Sequence, residues 1–118
     1  MIEDEVINQY VKKEEIKEII NIIKNKRIIK TDHFYFRIHQ RNIDEEFVNR
    51  IMLKFERVKL IDKRLHKKGD VGYDFYYELD NSRTLKLCFI VEGNKVLLVN
   101  AILRLRIWQS NIKILGGR

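Results

Sequence analysis

Three stretches in the second half of the chain alternate apolar and polar residues with period two, and that period restricts them to β-strands. In Tyr73 to Leu79, the residues Tyr73, Phe75, Tyr77 and Leu79 fall on one side, and Asp74, Tyr76 and Glu78 on the other. Leu85, Leu87, Phe89 and Val91 define a second inward face. From Lys95 to about Trp108, Leu97, Val99, Ala101, Leu103 and Leu105 point one way, while Asn100, Arg104 and Arg106 point the other. Turn residues separate these runs: Gly69-Asp70-Val71-Gly72, Asp80-Asn81-Ser82, and the tight hairpin signal Gly93-Asn94. Arg57 to Lys68, RVKLIDKRLHKK, alternates only in part and is densely basic, which reads as an edge-like strand.

The first half has helical periodicity. Residues 3 to 26 read as one helix, with Ile16, Ile19, Ile20 and Ile23 as its apolar stripe. Val6 and Tyr10 extend the stripe with some drift, and the KKEE run at 12–15 interrupts it, as a kink would. Arg27 to Lys30 is a short link or a brief strand. A second helix is expected from about Asp32 to Gln40, with Thr31-Asp32 as its N-cap. A third is expected from about Asp44 to Phe55, capped by Asn42 or Asp44, with Phe47, Val48, Ile51 and Phe55 inward. Helices followed by a meander of about four antiparallel strands argue an α+β fold, with the helices on one sheet face. The other face then carries Asn100, Arg104, Arg106 and Lys86. Residues 109–118 read as a frayed tail.

The length of 118 residues suits a single domain over 1–118. No apolar run approaches the ~18 residues of a membrane span. Glu3, Asp4 and Glu5 are wrong for a signal peptide, so a cytoplasmic protein with no membrane partner is expected. Cys88 is the sole cysteine and sits in the strand-like run LKLCFIV, where a buried structural thiol is expected rather than a nucleophile. Three scattered histidines give no metal signature, and no phosphate loop or dinucleotide fingerprint implies a cofactor. The formal net charge of +7 favours a polyanionic partner, with RNA or DNA foremost, or reflects only a solvated basic surface.

One constellation stands apart. His33, Arg37 and Arg41 are four residues apart and stack on one helix face. Cleavage of RNA without a metal needs a base for the 2′-hydroxyl proton, cations for the crowded phosphate and an acid for the leaving 5′-oxygen. Histidine and arginine are the natural residue types for these tasks. The same residues also suit a solvated face paired with Asp44, Glu45 or Glu46. Arg104 and Arg106 offer two more phosphate contacts, or a plain outer sheet face. Tyr73, Tyr76 and Tyr77 either stack bases or pack against the sheet. His39 lies off the stripe, and His66 belongs to the basic strand.

The segment TDHFYFRIHQRNIDEEFV is similar to the opening signature of a family of small proteins, approximately T-x-H-x-x-x-R-x-x-x-R-x-I-[ST/D]-x-x-x-V, matched by Thr31, His33, Arg37, Arg41, Ile43, Asp44 and Val48. The stretch YDFYYELDNSRTLKLCFIVEGNKVLLVNAILR resembles that family's closing strand pair. The family is grouped with BrnT-like and RelE/ParE-like toxins, metal-independent ribonucleases built on a helix pair and a curved antiparallel sheet. The resemblance makes residues 28–108 the toxin-like unit and 1–26 an N-terminal addition. It implies an RNA-binding endoribonuclease with no metal or cofactor. His33 would act as general base or acid, Arg37 and Arg41 would hold the phosphate, and Arg104 or Arg106 would assist. Lys59, Lys63, Lys67 and Lys68 would track the RNA backbone. The open alternatives are a non-enzymatic module that binds an antitoxin-like protein or forms a homodimer through the N-terminal helix, and a DNA-binding module.

Overall fold

The computed structural model describes residues 5–66 and 69–113. Its elements are β1 (Glu5–Tyr10), α1 (Lys13–Lys24), β2 (Arg27–Lys30), α2 (Asp32–Gln40), α3 (Glu45–Met52), β3 (Val58–Leu65), β4 (Val71–Glu78), β5 (Thr84–Glu92) and β6 (Lys95–Arg104), with 3₁₀ turns at Phe55–Arg57 and Trp108–Asn111. The fold is α+β. The six strands form one mixed sheet in the order β1-β3-β4-β5-β6-β2. All neighbours are antiparallel except β2, which runs parallel to β6.

The expected helix over 3–26 is two elements. The drift of Val6 and Tyr10 away from the isoleucine stripe marks a change of period. Residues 5–10 pair antiparallel with β3, so Tyr10 sits beside Ile61 against the core and Gln9 beside Asp62 on the opposite face. The helix proper starts at Lys13, with Glu14 and Glu15 in its first turn, where the backbone dipole favours acids. The count of four strands therefore becomes six. β3 is an interior strand rather than an edge, because β1 covers it on one side and β4 on the other.

The helix pair follows the sequence closely. Thr31 Oγ1 accepts the Phe34 N–H (3.1 Å), and Asp44 Oδ1 accepts the Glu46 N–H (3.2 Å), so both helices start on side-chain caps. At the end of α2, Ile43 N–H donates to Ile38 O (2.9 Å) and Asn42 N–H to His39 O (3.3 Å), while Asn42 adopts φ 56°. This is the Schellman arrangement, in which a left-handed residue turns the chain and the following apolar residue folds back onto the helix. Asn tolerates that conformation, and Ile43 packs against the core.

The core lies between the helices and one sheet face. Ile16, Ile19, Ile20 and Ile23 of α1, Phe34 and Ile38 of α2, and Val48, Ile51 and Met52 of α3 meet Val58, Ile61, Phe75, Tyr77, Leu85, Leu87, Phe89, Val96, Leu98 and Ala101. Fully burying one such side chain contributes about 1.5–3 kcal/mol. The α1 stripe is therefore core, and is not free to serve as an interface.

The phase of β6 departs from simple alternation. Phe89 pairs with Leu98 and Cys88 with Asn100, so Val99 is an extra residue, a β-bulge. Val96 and Leu98 face inward before it and Ala101 after it, in place of the expected Leu97-Val99-Ala101 series. The bulge leaves Asn100, Ile102 and Arg104 on the outer face with Cys88, Lys86 and Thr84. β6 ends at Arg104, and the chain then crosses the outer face. Trp108 Nε1–H donates to Glu78 Oε2 (3.2 Å), and Gln9 Nε2–H donates to Asn111 O (3.0 Å). Residues 109–113 are thus docked rather than frayed; residues 114–118 lie outside the described part.

Candidate functional site

Among the described residues, the outer face is covered by the C-terminal segment at one end and open at the other. At the open end, neighbouring strands place outward side chains in rows. Arg64 of β3, Gly72 of β4 and Ile90 of β5 form one row; Asp62, Asp74, Cys88 and Asn100 form the next; Leu60, Tyr76, Lys86 and Ile102 form a third. A cavity of about 270 Å³ opens over these rows, lined by His33, Arg64, His66, Asp74, Lys86, Cys88, Phe89, Ile90, Val99, Asn100 and Ile102.

Its charged part is fixed from below. Asp74 is only 2% exposed. It accepts a hydrogen bond from Arg64 Nε–H and lies 3.6 Å from Lys86 Nζ. Two cations meet the Asp74 carboxylate here, with the Asp62 carboxylate next to it. Burial works against the charged Arg64 guanidinium, but the bond and charge of Asp74 outweigh it and hold its pKa above the ordinary value. Behind Asp74, Asp62 accepts hydrogen bonds from Gln9 Nε2 (2.7 Å) and the Tyr76 hydroxyl (2.8 Å). The Lys86 ammonium stands 5.5 Å from the centre of the Tyr76 ring, within cation–π range. Cys88 forms part of the same network. Burial first, and the adjacent Asp74 second, push its thiol pKa up, which disfavours the thiolate.

Two histidines reach the cavity from different elements. β2 pairs with β6 only up to Leu98, and beyond that point α2 covers the free edge of β6. Thr31 N–H donates to Leu98 O (3.1 Å), and Arg41 Nη1 donates to Asn100 Oδ1 (2.6 Å) and Ala101 O (2.9 Å). This docking carries His33, in the first turn of α2, to the cavity wall. Arg37 Nε–H donates to His33 Nε2 (3.3 Å), and Arg37 Nη1–H to Gln40 Oε1 (3.2 Å). His66 enters from the β3–β4 hairpin, where its N–H bonds Asp70 O (3.0 Å) and its carbonyl accepts from Gly69 N–H (2.8 Å).

Of the described residues among the expected catalytic and RNA-tracking set, His33 lines the cavity. Arg37 holds His33, and Arg41 holds Asn100. Arg104 lies two rows beyond Asn100, beside Thr84. Its Nε is buried with no hydrogen-bond partner among the described residues. Arg106 is exposed past the strand end, and its carbonyl accepts from Thr84 Oγ1 (2.7 Å). Lys59 sits in the bulge of β3, and Lys63 is level with Tyr73 on the helix side of the sheet. Lys67 and Lys68 lie outside the described residues. Tyr73, Tyr76 and Tyr77 are all buried, so packing rather than base stacking is their role. Comparison with protein-family models, curated proteins and solved structures finds no match to the chain.

Proposed function

We propose that the chain binds RNA at the outer-face cavity and cleaves it by attack of a ribose 2′-hydroxyl on the neighbouring phosphate. One observation carries this reading: two imidazoles, from α2 and from the β3–β4 hairpin, line one cavity whose base holds Arg64 and Lys86. His33 takes the 2′-hydroxyl proton. Its Nε2 accepts a hydrogen bond from Arg37, and that bond opens for the ring nitrogen to take the proton. The 2′-oxygen bonds to phosphorus, the bond to the 5′-oxygen breaks, and His66 protonates that leaving oxygen. The products are a 2′,3′-cyclic phosphate and a free 5′-hydroxyl. Arg64 and Lys86 stabilise the charge that builds on the phosphoryl oxygens. The resemblance of Thr31–Val48 to BrnT- and RelE-like toxins and the net charge of +7 point the same way.

The test is incubation of the purified protein with RNA in EDTA, followed by end-group analysis. Cyclic phosphate ends are expected, with the rate lowered about 100-fold or more by His33→Ala or by His66→Ala. If wild type does not cut, or both variants cut as fast, the catalytic reading is lost.

A second reading, a non-enzymatic protein-docking module, is favoured by one feature. Tyr35 (43% exposed) and Phe36 (60% exposed) border an open groove of about 590 Å³ along α2 and the start of α3, beside Ile43 and Glu45. Self-association through that groove would be disrupted by Phe36→Asp in gel filtration; a wild-type monomer at high concentration argues against it.

A further inference from the structure

The amide of Asn100 has a fixed orientation. Its Oδ1 accepts two hydrogen bonds, one from Arg41 Nη1 (2.6 Å) and one from the Ala101 backbone N–H (2.9 Å). Two donors on that atom define which end of the amide is oxygen, so the opposite end is the NH₂ group. That group has no protein partner among the described residues, and the residue lines the cavity. The β-bulge at Val99 is what turns Asn100 outward, and Arg41 crosses from the end of α2 to hold it. Both bonds use Nη1, which ties the Arg41 guanidinium to the amide and to the Ala101 carbonyl.

The cavity is also asymmetric. Arg64, His66 and Asp74, from β3, the β3–β4 hairpin and β4, make one side polar. Ile90, Val99 and Ile102 of β5 and β6 add apolar surface around Asn100, with Cys88 and Lys86 of β5 beside it. Flat nucleobases bury apolar faces and present hydrogen-bonding edges. With the phosphate drawn to Arg64 and Lys86, the attached base falls toward the isoleucines and the Asn100 NH₂ group.

We propose that Asn100, positioned by Arg41, is the base-reading residue of this cavity, donating to an acceptor atom on the edge of the nucleobase next to the bound phosphate. This deepens the RNA reading and rests on it. The signature arginine at position 41 then acts on specificity through Asn100 rather than on the phosphate.

The test compares binding of uridine 3′-monophosphate with binding of inorganic phosphate, by NMR titration of the intact chain. Wild type is expected to prefer the nucleotide. Asn100→Asp keeps the acceptor that Arg41 and Ala101 use and removes the NH₂ donor. It should lower the nucleotide-to-phosphate affinity ratio about threefold to tenfold, the size of one lost hydrogen bond. Any repulsion of phosphate by the new carboxylate acts on both ligands and cancels in the ratio. Arg41→Ala should lower the ratio in the same direction, while the affinity for inorganic phosphate holds. If phosphate binds and the ratio is unchanged in Asn100→Asp, or wild type shows no preference, the base-reading role is overturned. If inorganic phosphate does not bind at all, the cavity reading itself falls and takes this role with it.

Discussion

The imidazole of His66 occupies the space that a side chain on residue 72 would fill. A Cβ built on Gly72 collides with His66 Nε2 and comes within 3.1 Å of both His66 Cδ2 and the Phe89 carbonyl oxygen. His66 therefore lies over β4 at Gly72, in the row between Arg64 and Ile90, and a bare backbone at 72 is the condition for it. Gly72→Ala is expected to lift the ring out of its seat, because the rigid strand on the other side cannot give way. RNA cleavage should fall at least tenfold, with a stability loss of about 1–3 kcal/mol from overpacking. In a His66→Ala background the same substitution should cost no further activity. The direct check is the His66 ring signals in NMR: if they stay at their wild-type positions in Gly72→Ala, the seat does not exist.

What the sequence reveals here and what it hides divide along a physical line. The extent of α2, its Thr31 cap and the left-handed turn at Asn42 are local matters, settled within a few residues, and they are legible. The outward positions of Asp74, Lys86 and Asn100 are also legible, from period two. Their assembly is not, because it depends on register. Arg64 meets Asp74 only through the alignment of β3 with β4. Asn100 joins Cys88 only because one extra residue at Val99 shifts the phase of β6. β1 is hidden for a related reason: six residues with a weak stripe become a strand by pairing with a β3 edge that lies more than fifty positions away. A buried aspartate in an aromatic strand beside a glycine, Gly72-Tyr73-Asp74, is the one local sign that the outer face is more than a solvated surface.

Asp74 should be a stability determinant as well as a site residue. Its carboxylate is the shared partner of Arg64 and Lys86, and Lys86 has a side chain only 10% exposed. Asp74→Asn takes the nearest counter-charge from both cations and leaves only Asp62 behind them, a costly way to break a buried pair. Because Arg64 keeps some contact with water, the expected loss is about 2–3 kcal/mol, toward the lower end for such pairs. Urea unfolding would measure it. The double variant Asp74→Asn/Lys86→Met, which removes one stranded cation, should recover part of the loss. A single variant as stable as wild type would show that the network carries no net stabilisation.

Stability should decline on the alkaline side, and the direction follows from the buried acids of the sheet. Burial raises the pKa of the Cys88 thiol, with help from Asp74, and raises that of the Tyr76 hydroxyl, with help from the charge of Asp62. Burial likewise raises Tyr77 and Tyr73. For a group whose folded pKa lies above its unfolded value, the stabilisation is complete below the unfolded pKa and is lost as pH rises toward the folded one. Unfolded cysteine and tyrosine release protons from about pH 8.5 and pH 10. Unfolding free energy should therefore be flat in these groups up to about pH 8 and fall above it, by up to about 1.4 kcal/mol per pH unit for each group engaged. Urea titrations at several pH values between 7 and 10.5 would trace this limb. Cys88→Ala removes the earliest of the titrations, so the fall should begin closer to pH 10. Tyr76→Phe removes the hydroxyl that donates to Asp62 and should lower stability at neutral pH, yet flatten the limb above pH 10. The neutral loss and the alkaline gain have opposite signs in the same variant, which a general weakening of the fold would not produce. An alkaline limb of unchanged slope in both variants would rule out these groups as its source.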